Sequence, residues 1–355
     1  MGRLLTDYST TNETAIPNMM EKRTGLFVLL VASGALWTEC GATGRPVVGY
    51  PFMEAESTCP GRYCGRMSKE KECGACPRGY SPDSESVCQR CESSPQFYDW
   101  LYLGFMGMVS LVLHWGFIDL LSPPKRTVLL LHLSAFIETV FAAWLTLFLS
   151  EPAGTMNIRS CSVHQFSDWY TMFFNPTPDY SNTIYCTQEM VYPLYTMVLI
   201  YYTLSLVFMM LLRPLFAYKL TGCQGSRSIY AALYFLPILI FIHSIFGGII
   251  YYAYPYITVV VSVITSACHL ATEEDQRMKE LLRHSFTNIR SLTILLGHWV
   301  VHAYGIVAIT QLGQPSFHAP LIALVPFPTL FYIVTVRFTD PHLIFPYRTS
   351  SLQGV

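Results

Sequence analysis

The stretch Trp100–Leu121, WLYLGFMGMVSLVLHWGFIDLL, decides the fold, because its 22 residues are apolar and long enough to cross a lipid bilayer. Crossing a hydrocarbon core of ~30 Å at 1.5 Å per residue takes roughly 20 helical residues. Six closely spaced cysteines and the interfacial aromatic residues Tyr98 and Tyr102 lie at its start, and Lys125 and Arg126 follow its end. We therefore expect its start to face an oxidising compartment and its end to face the cytosol.

The composition is typical of a membrane protein. Of 355 residues, 52% are hydrophobic, 14% aromatic and only 13% charged, which is too little charge to cover a soluble globule of this size. The net charge is −1 and no basic stripe stands out, so we expect the lipid bilayer as a partner and no nucleic acid.

Six more apolar segments follow the first. They are Val128–Leu149, Val191–Leu212, Ile229–Tyr252, Pro255–Leu270, Ser291–Ile309 and Leu321–Val336. The sequence therefore predicts an all-α polytopic membrane protein, with seven transmembrane helices in a domain at 98–336. The last segment contains Pro326 and Pro328, so we expect its helix to be kinked and its freed backbone groups to bond to neighbouring helices.

Lys and Arg are shared unevenly between the loops. Eleven of them fall in three loops and the C-terminal tail, at 122–127, 213–228, 271–290 and from 337. The opposite loops carry only Arg159. Because cytosolic loops are enriched in Lys and Arg, we expect a cytosolic tail at 337–355, and a lumenal location for the cysteines and the 151–190 loop.

Residues 1–42 resemble a signal peptide with a long N-terminal extension. Lys22 and Arg23 precede the 13-residue apolar run Gly25–Trp37, which is short for a membrane crossing, and small residues follow it. An uncleaved membrane anchor is the alternative. In either case we expect a small cysteine-rich lumenal region at 43–97.

Eight cysteines fall on the expected lumenal side: Cys59, Cys64, Cys73, Cys76, Cys88, Cys91, Cys161 and Cys186. The spacing C-x2-C-x11-C-x2-C at 73–91 suits a zinc site in the cytosol, whereas in an oxidising lumen it suits disulfides that stabilise a segment too small for its own core. The expected topology favours disulfides. Their connectivity stays open, with Cys161 and Cys186 joined either to each other or to the 59–91 block.

Five ionisable residues fall inside the predicted spans: His114, Glu138, His243, His298 and His302. A charge at mid-membrane costs about 2.5–3.5 kcal/mol on insertion scales, so we expect Glu138 to face the bundle and either to pair with a histidine or to stay protonated. A metal or proton site is one interpretation. We favour hydrogen bonds between helices, with no catalytic role and no cofactor, because the chain lacks H-E-x-x-H, histidine boxes and a Gly-rich phosphate loop.

Two cytosolic segments are candidates for binding a partner. In the 271–290 loop, Thr272 and Asp275 resemble a capping box that starts a helix. Four apolar residues then share one face of that helix: Met278, Leu281, Leu282 and Phe286. A helix that lies on the membrane interface is the alternative. In the tail, Arg337 followed by Leu343 and Phe345 loosely fits a basic-then-hydrophobic kinase docking pattern, and a tail with no binding role is the alternative.

Several long, aromatic-rich strings resemble a known family. They are YDWLYLGFM at 98–106, LVLHW at 111–115, SDWYTM at 167–172, MMLLRPL at 209–215, SIYAALYF at 228–235 and HAYGI at 302–306. On these strings the chain resembles the c-Jun N-terminal kinase-associated membrane protein (JAMP) family over about residues 58–341. The resemblance implies a seven-span endoplasmic-reticulum scaffold that brings proteasome and E3 ubiquitin ligase components to the membrane for clearance of misfolded proteins. It also implies that the protein prolongs signalling by a stress-activated protein kinase.

Two other classes of function stay open: a receptor with a cysteine-rich ectodomain, and a transporter or metal-handling membrane protein. Against the receptor, the third span ends in Leu212-Arg213-Pro214 instead of an acidic-Arg-Tyr motif. A transporter is expected to show internal repeats or paired broken helices, and here only Gly247-Gly248 and the proline pair of the last segment stand out. The scaffold is therefore the leading hypothesis, mainly on the resemblance.

Overall fold

The computed structural model describes residues 58–67, 72–121, 128–174, 186–221, 226–273 and 275–339, all within one unit that begins at Glu56. The signal-peptide-like extension at 1–42 lies outside the described residues, and so does the tail beyond Thr339. Predictions about those two segments remain predictions.

The described residues form eight α-helices: α1 Phe97–Leu121, α2 Val128–Leu149, α3 Leu194–Thr221, α4 Ser226–Ala271, α5 Met278–Thr287, α6 Ile289–Thr310, α7 Pro315–Ile322 and α8 Phe327–Thr339. Six stretches are long and apolar enough to cross a membrane, namely α1, α2, α3, α4, α6 and the pair α7–α8. The protein is therefore mostly helical, as predicted. The part of the chain that the structure describes has one candidate span fewer than the seven expected.

The difference lies in α4, where the expected break at 253–255 is absent and 46 residues form one helix. Pro255 lies inside it and cannot donate a hydrogen bond to the carbonyl of Tyr251 four residues earlier. The Tyr98 hydroxyl of α1 donates to that carbonyl at 2.8 Å instead, so the backbone acceptor stays satisfied. At 1.5 Å per residue, α4 contains about 69 Å of helix, more than twice a hydrocarbon core of ~30 Å.

The two halves of α4 pack against different helices. In the N-terminal half, Phe235 stacks on Phe117 of α1 with ring centroids 5.4 Å apart. In the C-terminal half, Val259 lies so close to Gly305 of α6 that a Cβ there would come within 2.6 Å of it. The described bundle therefore has a first half, made of α1, α2, α3 and the N-terminal half of α4, and a second half, made of α4 from Pro255 onward with α5, α6 and α8.

The last predicted span is interrupted, in agreement with its prolines. α7 ends at Ile322, turns occupy 323–326, and α8 begins at Phe327. Pro328 falls in the first turn of α8, where a helix needs no backbone N–H donor. The candidate span ends at Val336, and α8 continues to Thr339, so Arg337 lies in the last turn of the helix just beyond the span.

The cysteine-rich region adds two small antiparallel sheets that the all-α prediction did not include. One pairs β1 Cys64–Gly65 with β2 Gly74–Ala75, and the other pairs β3 Tyr80–Pro82 with β4 Cys88–Arg90. Strands of two or three residues bury too little apolar surface to be stable alone. A Cβ on Gly65 would lie 2.6 Å from the Cys76 sulfur, so only glycine allows the strand to approach the disulfides that hold this region together.

Candidate functional site

All eight predicted cysteines form disulfides. The pairs are Cys59–Cys73, Cys64–Cys186, Cys76–Cys88 and Cys91–Cys161. The disulfide prediction is confirmed, and the zinc alternative for 73–91 is wrong, because each of those four sulfurs is covalently paired. Cys161 and Cys186 are both joined to the 59–91 block, so two disulfides fasten the 151–190 loop to the cysteine-rich region.

The disulfide-bonded region is also fastened to the helices. The Tyr63 hydroxyl donates to the Asp168 carboxylate at 2.9 Å, and burial raises the pKa of this hydroxyl above its usual value. Next to Asp168, Trp169 packs on α4, where a Cβ on Gly248 would lie 2.6 Å from the Trp169 Cβ. Gly248 therefore admits the indole. The described residues of the 151–190 loop and of the cysteine-rich region lie together over the end of the first half where α1 begins, and we call them the cover.

The buried charge of the first half has an unexpected partner. Glu138 on α2 pairs with Arg213 on α3 through two contacts, 2.5 Å from Nη2 to Oε2 and 3.2 Å from Nε to Oε1, and neither side chain is exposed to solvent. The Ser134 hydroxyl donates to the same carboxylate at 2.6 Å. Glu138 faces the bundle as expected, but its partner is an arginine and not a histidine.

Arg213 was not predicted as the partner of Glu138, because the sequence pattern placed it in the 213–228 loop. The basic residue follows an apolar run and precedes Pro214, which suggested the end of a span. In the structure α3 continues through Pro214 to Thr221, so the guanidinium lies inside the bundle. The sequence does contain a signal for this pair. An acidic residue in one apolar segment and a basic residue at the end of the next are the expected members of a buried ion pair.

The predicted intramembrane histidines are divided between the two halves of the bundle. His114 is buried, with its ring 4.9 Å from that of Phe235. His243 is buried between Tyr102, whose hydroxyl lies 3.3 Å from Nδ1, and the Tyr195 carbonyl, 3.1 Å from Nε2. These two belong to the first half of the bundle.

The remaining two histidines belong to the second half. His298 lies 3.1 Å from the Thr265 hydroxyl, and His302 is half-buried one turn further along α6. Within the described ranges, no three His, Cys, Asp or Glu side chains are grouped so that they could hold a metal ion. For His243 and His298 the geometry offers hydrogen bonds between helices.

The helix predicted in the 271–290 loop forms, but it starts later than expected. α5 begins at Met278, and Asp275 accepts from the Arg277 backbone N–H at 3.0 Å and binds the Arg277 guanidinium. These bonds hold the pKa of Asp275 down at about 2. The capping-box prediction is wrong, because the Asp275 carboxylate closes a local turn two residues ahead in place of reaching back to Thr272.

The structure divides the four predicted docking residues of α5. Leu281 is buried in an apolar cluster with Leu270, Leu295, Ile333 and Val336. The other three are exposed, with exposed fractions of 46% for Met278, 42% for Leu282 and 56% for Phe286. We call these three residues the α5 stripe. Leu281 fixes the helix on the bundle, and the α5 stripe stays uncovered.

The side chains of the three tail candidates lie outside what the structure describes. Leu343 and Phe345 lie outside the described residues, and Arg337 is described only by its backbone in α8. The kinase docking pattern of the tail remains a prediction.

Comparison with known proteins gives the family that this chain resembles. The family model described as JAMP, JNK1/MAPK8-associated membrane protein, matches residues 59–341. The mouse protein named JNK1/MAPK8-associated membrane protein is 46% identical over 305 residues, which cover 82% of this chain and 97% of that protein, and the human protein of that name gives the same values. A Caenorhabditis elegans homologue is 30% identical over 306 residues, covering 85% and 93%. No solved structure matches the chain.

Proposed function

Because the chain belongs to the JNK1/MAPK8-associated membrane protein family, we propose that it is a non-catalytic membrane scaffold that binds a stress-activated protein kinase of the JNK class. We propose further that the protein resides in the endoplasmic-reticulum membrane. Its other proposed partners are proteasome and E3 ubiquitin ligase components, which it brings to that membrane. The observation that carries the proposal is the α5 stripe, an uncovered apolar surface held in place by a buried leucine.

The proposal requires the α5 stripe and the disulfides to face opposite sides of the membrane. We propose seven crossings, in which α4, one continuous helix in the structure, bends back at Pro255 so that its two halves each cross once. The 271–290 loop and the tail are enriched in lysine and arginine, which supports a cytosolic location for both. A contact also supports the location of the loop. The Tyr304 hydroxyl, near the end of α6, donates to the Leu101 carbonyl, near the start of α1. The start of α6, which follows the 271–290 loop, therefore lies toward the opposite side of the membrane from the start of α1.

The topology is tested in sealed microsomes. A tag placed after Val355 is expected to be digested by external protease, while the disulfide-bonded region is expected to be protected. A protected tag would refute the cytosolic tail and leave α4 as a single crossing.

The chemistry of the α5 stripe suits a peptide-binding surface on a kinase. Lys279 and Arg283 are exposed on the same helix, so apolar and basic side chains are presented together. The tail was predicted to supply a basic and apolar docking motif. The α5 helix presents the same combination of side chains, and it is already ordered by the contacts of Leu281 with the bundle. Ordering before binding lowers the entropic cost of association.

The docking proposal is tested by pull-down from cells. The double variant Leu282→Asp, Phe286→Asp is expected to reduce co-purification of JNK1 at least tenfold at normal protein level, because a charge replaces each apolar contact. Thr287→Asp is the matched control, since it adds a charge to an exposed position of the same helix outside the stripe. Undiminished kinase recovery with the double variant would refute α5 as the docking site. Proximity labelling from the C-terminus, with and without proteasome inhibition, tests the proteasome and ligase partners.

A further inference from the structure

A groove lies at the end of the bundle that carries the disulfides. Its volume is about 310 Å³, and it is walled by Tyr98 of α1, by Tyr251, Tyr252 and Tyr256 of α4, and by the end of α6 at 308–311. The first turn of α1 and the middle of α4 meet there. None of the residues assigned to kinase docking lines this groove.

The tyrosine rings enclose the groove from more than one direction. The rings of Tyr98 and Tyr251 are 5.0 Å apart at 76°, and those of Tyr251 and Tyr252 are 5.2 Å apart at 84°. Tyr252 and Tyr256 are 39% and 62% exposed. Rings set nearly at right angles around a space are the arrangement that receives a cation on aromatic faces.

Two buried carboxylates next to the groove lack a positive partner. Asp99 is 2% exposed and accepts from the Tyr251 hydroxyl at 2.6 Å and from the Gln96 N–H at 2.8 Å. Asp168 is 5% exposed and accepts from the Tyr63 hydroxyl and from two backbone N–H groups. Across the described ranges, neither carboxylate has a Lys, Arg or His side chain within salt-bridge distance.

Buried carboxylates are normally compensated by a positive charge. Here the groups bonded to the carboxylates are neutral donors, and the described residues that line the groove include one imidazole, that of His164, and no Lys or Arg. The groove is therefore electronegative, which favours a cation and disfavours a phosphate or carboxylate alone.

We propose that the tyrosine groove binds the trimethylammonium group of choline. A quaternary ammonium has no N–H to donate, so aromatic faces suit it well, whereas a primary ammonium needs free acceptors. The Asp99 oxygens are buried and already accept two hydrogen bonds, so they act on the ligand through their charge. The groove lies at the end of α1 where aromatic residues mark the headgroup layer, which makes a phosphatidylcholine headgroup the source within reach.

The proposal is tested with full-length protein in nanodiscs of phosphatidylglycerol, to which dihexanoylphosphatidylcholine is added and its binding measured by calorimetry. Saturable binding is expected. The double variant Tyr252→Leu, Tyr256→Leu is expected to bind about tenfold more weakly, because two aromatic faces are lost. The double variant to Phe keeps the rings and is expected to bind like the wild type. Tyr234→Leu, an exposed tyrosine elsewhere on α4, is the matched control.

Competing ligands distinguish the source of the group. Displacement by choline chloride at millimolar concentration, and not by sodium chloride, supports recognition of the ammonium itself, and a phospholipid that binds more tightly than choline identifies the lipid as the source. Equal displacement by ethanolamine, unchanged binding by the double Leu variant, or equal loss with Tyr234→Leu would overturn the proposal. Size-exclusion elution checks that each variant is folded. If the double Leu variant does not fold, Tyr256→Leu alone replaces it, with about threefold weaker binding expected.

Discussion

The two halves of the bundle are held together by different kinds of contact. The first half contains the Glu138–Arg213 pair, tyrosine hydroxyls bonded across helices and a disulfide-bonded cover. The second half is held by one apolar cluster around Leu281 and by hydrogen bonds of hydroxyl groups with imidazole, indole and other hydroxyl groups, such as His298 to Thr265 and Trp299 to Thr329.

This difference has a physical basis in the membrane. Apolar contacts between helices gain little over contacts with lipid, so specific polar bonds and close packing decide which helices associate. The first half has such bonds at several depths and forms a fixed platform. The second half has fewer of them, and it is the half that presents the uncovered α5 stripe.

The largest expected effect follows from breaking the buried pair of the first half. Glu138→Gln leaves the Arg213 guanidinium buried without its counter-charge, and we expect a loss of about 3–5 kcal/mol. The measurement is the thermal unfolding midpoint of the purified protein, together with its abundance in cells. A double variant, Glu138→Leu with Arg213→Met, is expected to recover most of the loss, because no charge is then buried. An unchanged midpoint for the single variant would show that the pair does not stabilise the platform.

A smaller effect is expected from opening the cover. Replacing Cys64 and Cys186 by Ser removes a link between residues 122 apart in sequence, and we expect a loss of about 2–4 kcal/mol confined to the cover. Limited proteolysis of the 151–190 loop measures it, with the helices expected to stay intact. Cys268→Ser, at an exposed free thiol, is the control. Equal cleavage of wild type and variant would mean that the cover is held by its contacts with α4 alone.

The second half is tested at Leu281. Leu281→Ala is expected to cost about 2 kcal/mol, at the low end of core leucine substitutions, because a short peripheral helix can settle into the cavity. Hydrogen exchange of α5 and α8 amides is expected to quicken while α1 and α3 are unaffected. Leu282→Ala, one residue away and exposed, is expected to change stability by less than about 0.5 kcal/mol. Faster exchange throughout both halves would contradict the separation drawn between them.

The smallest expected effect is a pH dependence within the cover. Hydrogen bonds from the Val87 backbone N–H, then from Gln89 and the Glu85 N–H, hold the pKa of Asp83 below its usual 3.8. A carboxyl with a lowered pKa stabilises the folded state above its unfolded pKa, and this contribution is lost as pH falls through the folded value. We therefore expect amide protection in the 83–87 turn to be constant above pH 5 and to fall below pH 3.8. Asp83→Asn is expected to lack that fall, and Glu85→Gln is expected to keep it.

The sequence by itself determined where the apolar helices lie, because hydrophobicity is a local property of each segment. The segment Val128–Leu149 coincides with α2, and the interruption near Pro326 follows from backbone chemistry that any neighbouring structure must accommodate. The set of cysteines that form disulfides was also predictable, because it depends on the side of the membrane and an even count.

Only the tertiary structure decided which groups meet. Arg213 is the partner of Glu138 across 75 residues, and Cys64 is the partner of Cys186 across 122, because helix packing brings these positions together and no local pattern records it. On α5, neighbouring residues differ by about 100° around the helix axis, so Leu281 is buried while Leu282 is exposed, although both are leucines on one predicted face. The orientation of that helix is set by contacts with α4, α6 and α8, which no stretch of sequence contains.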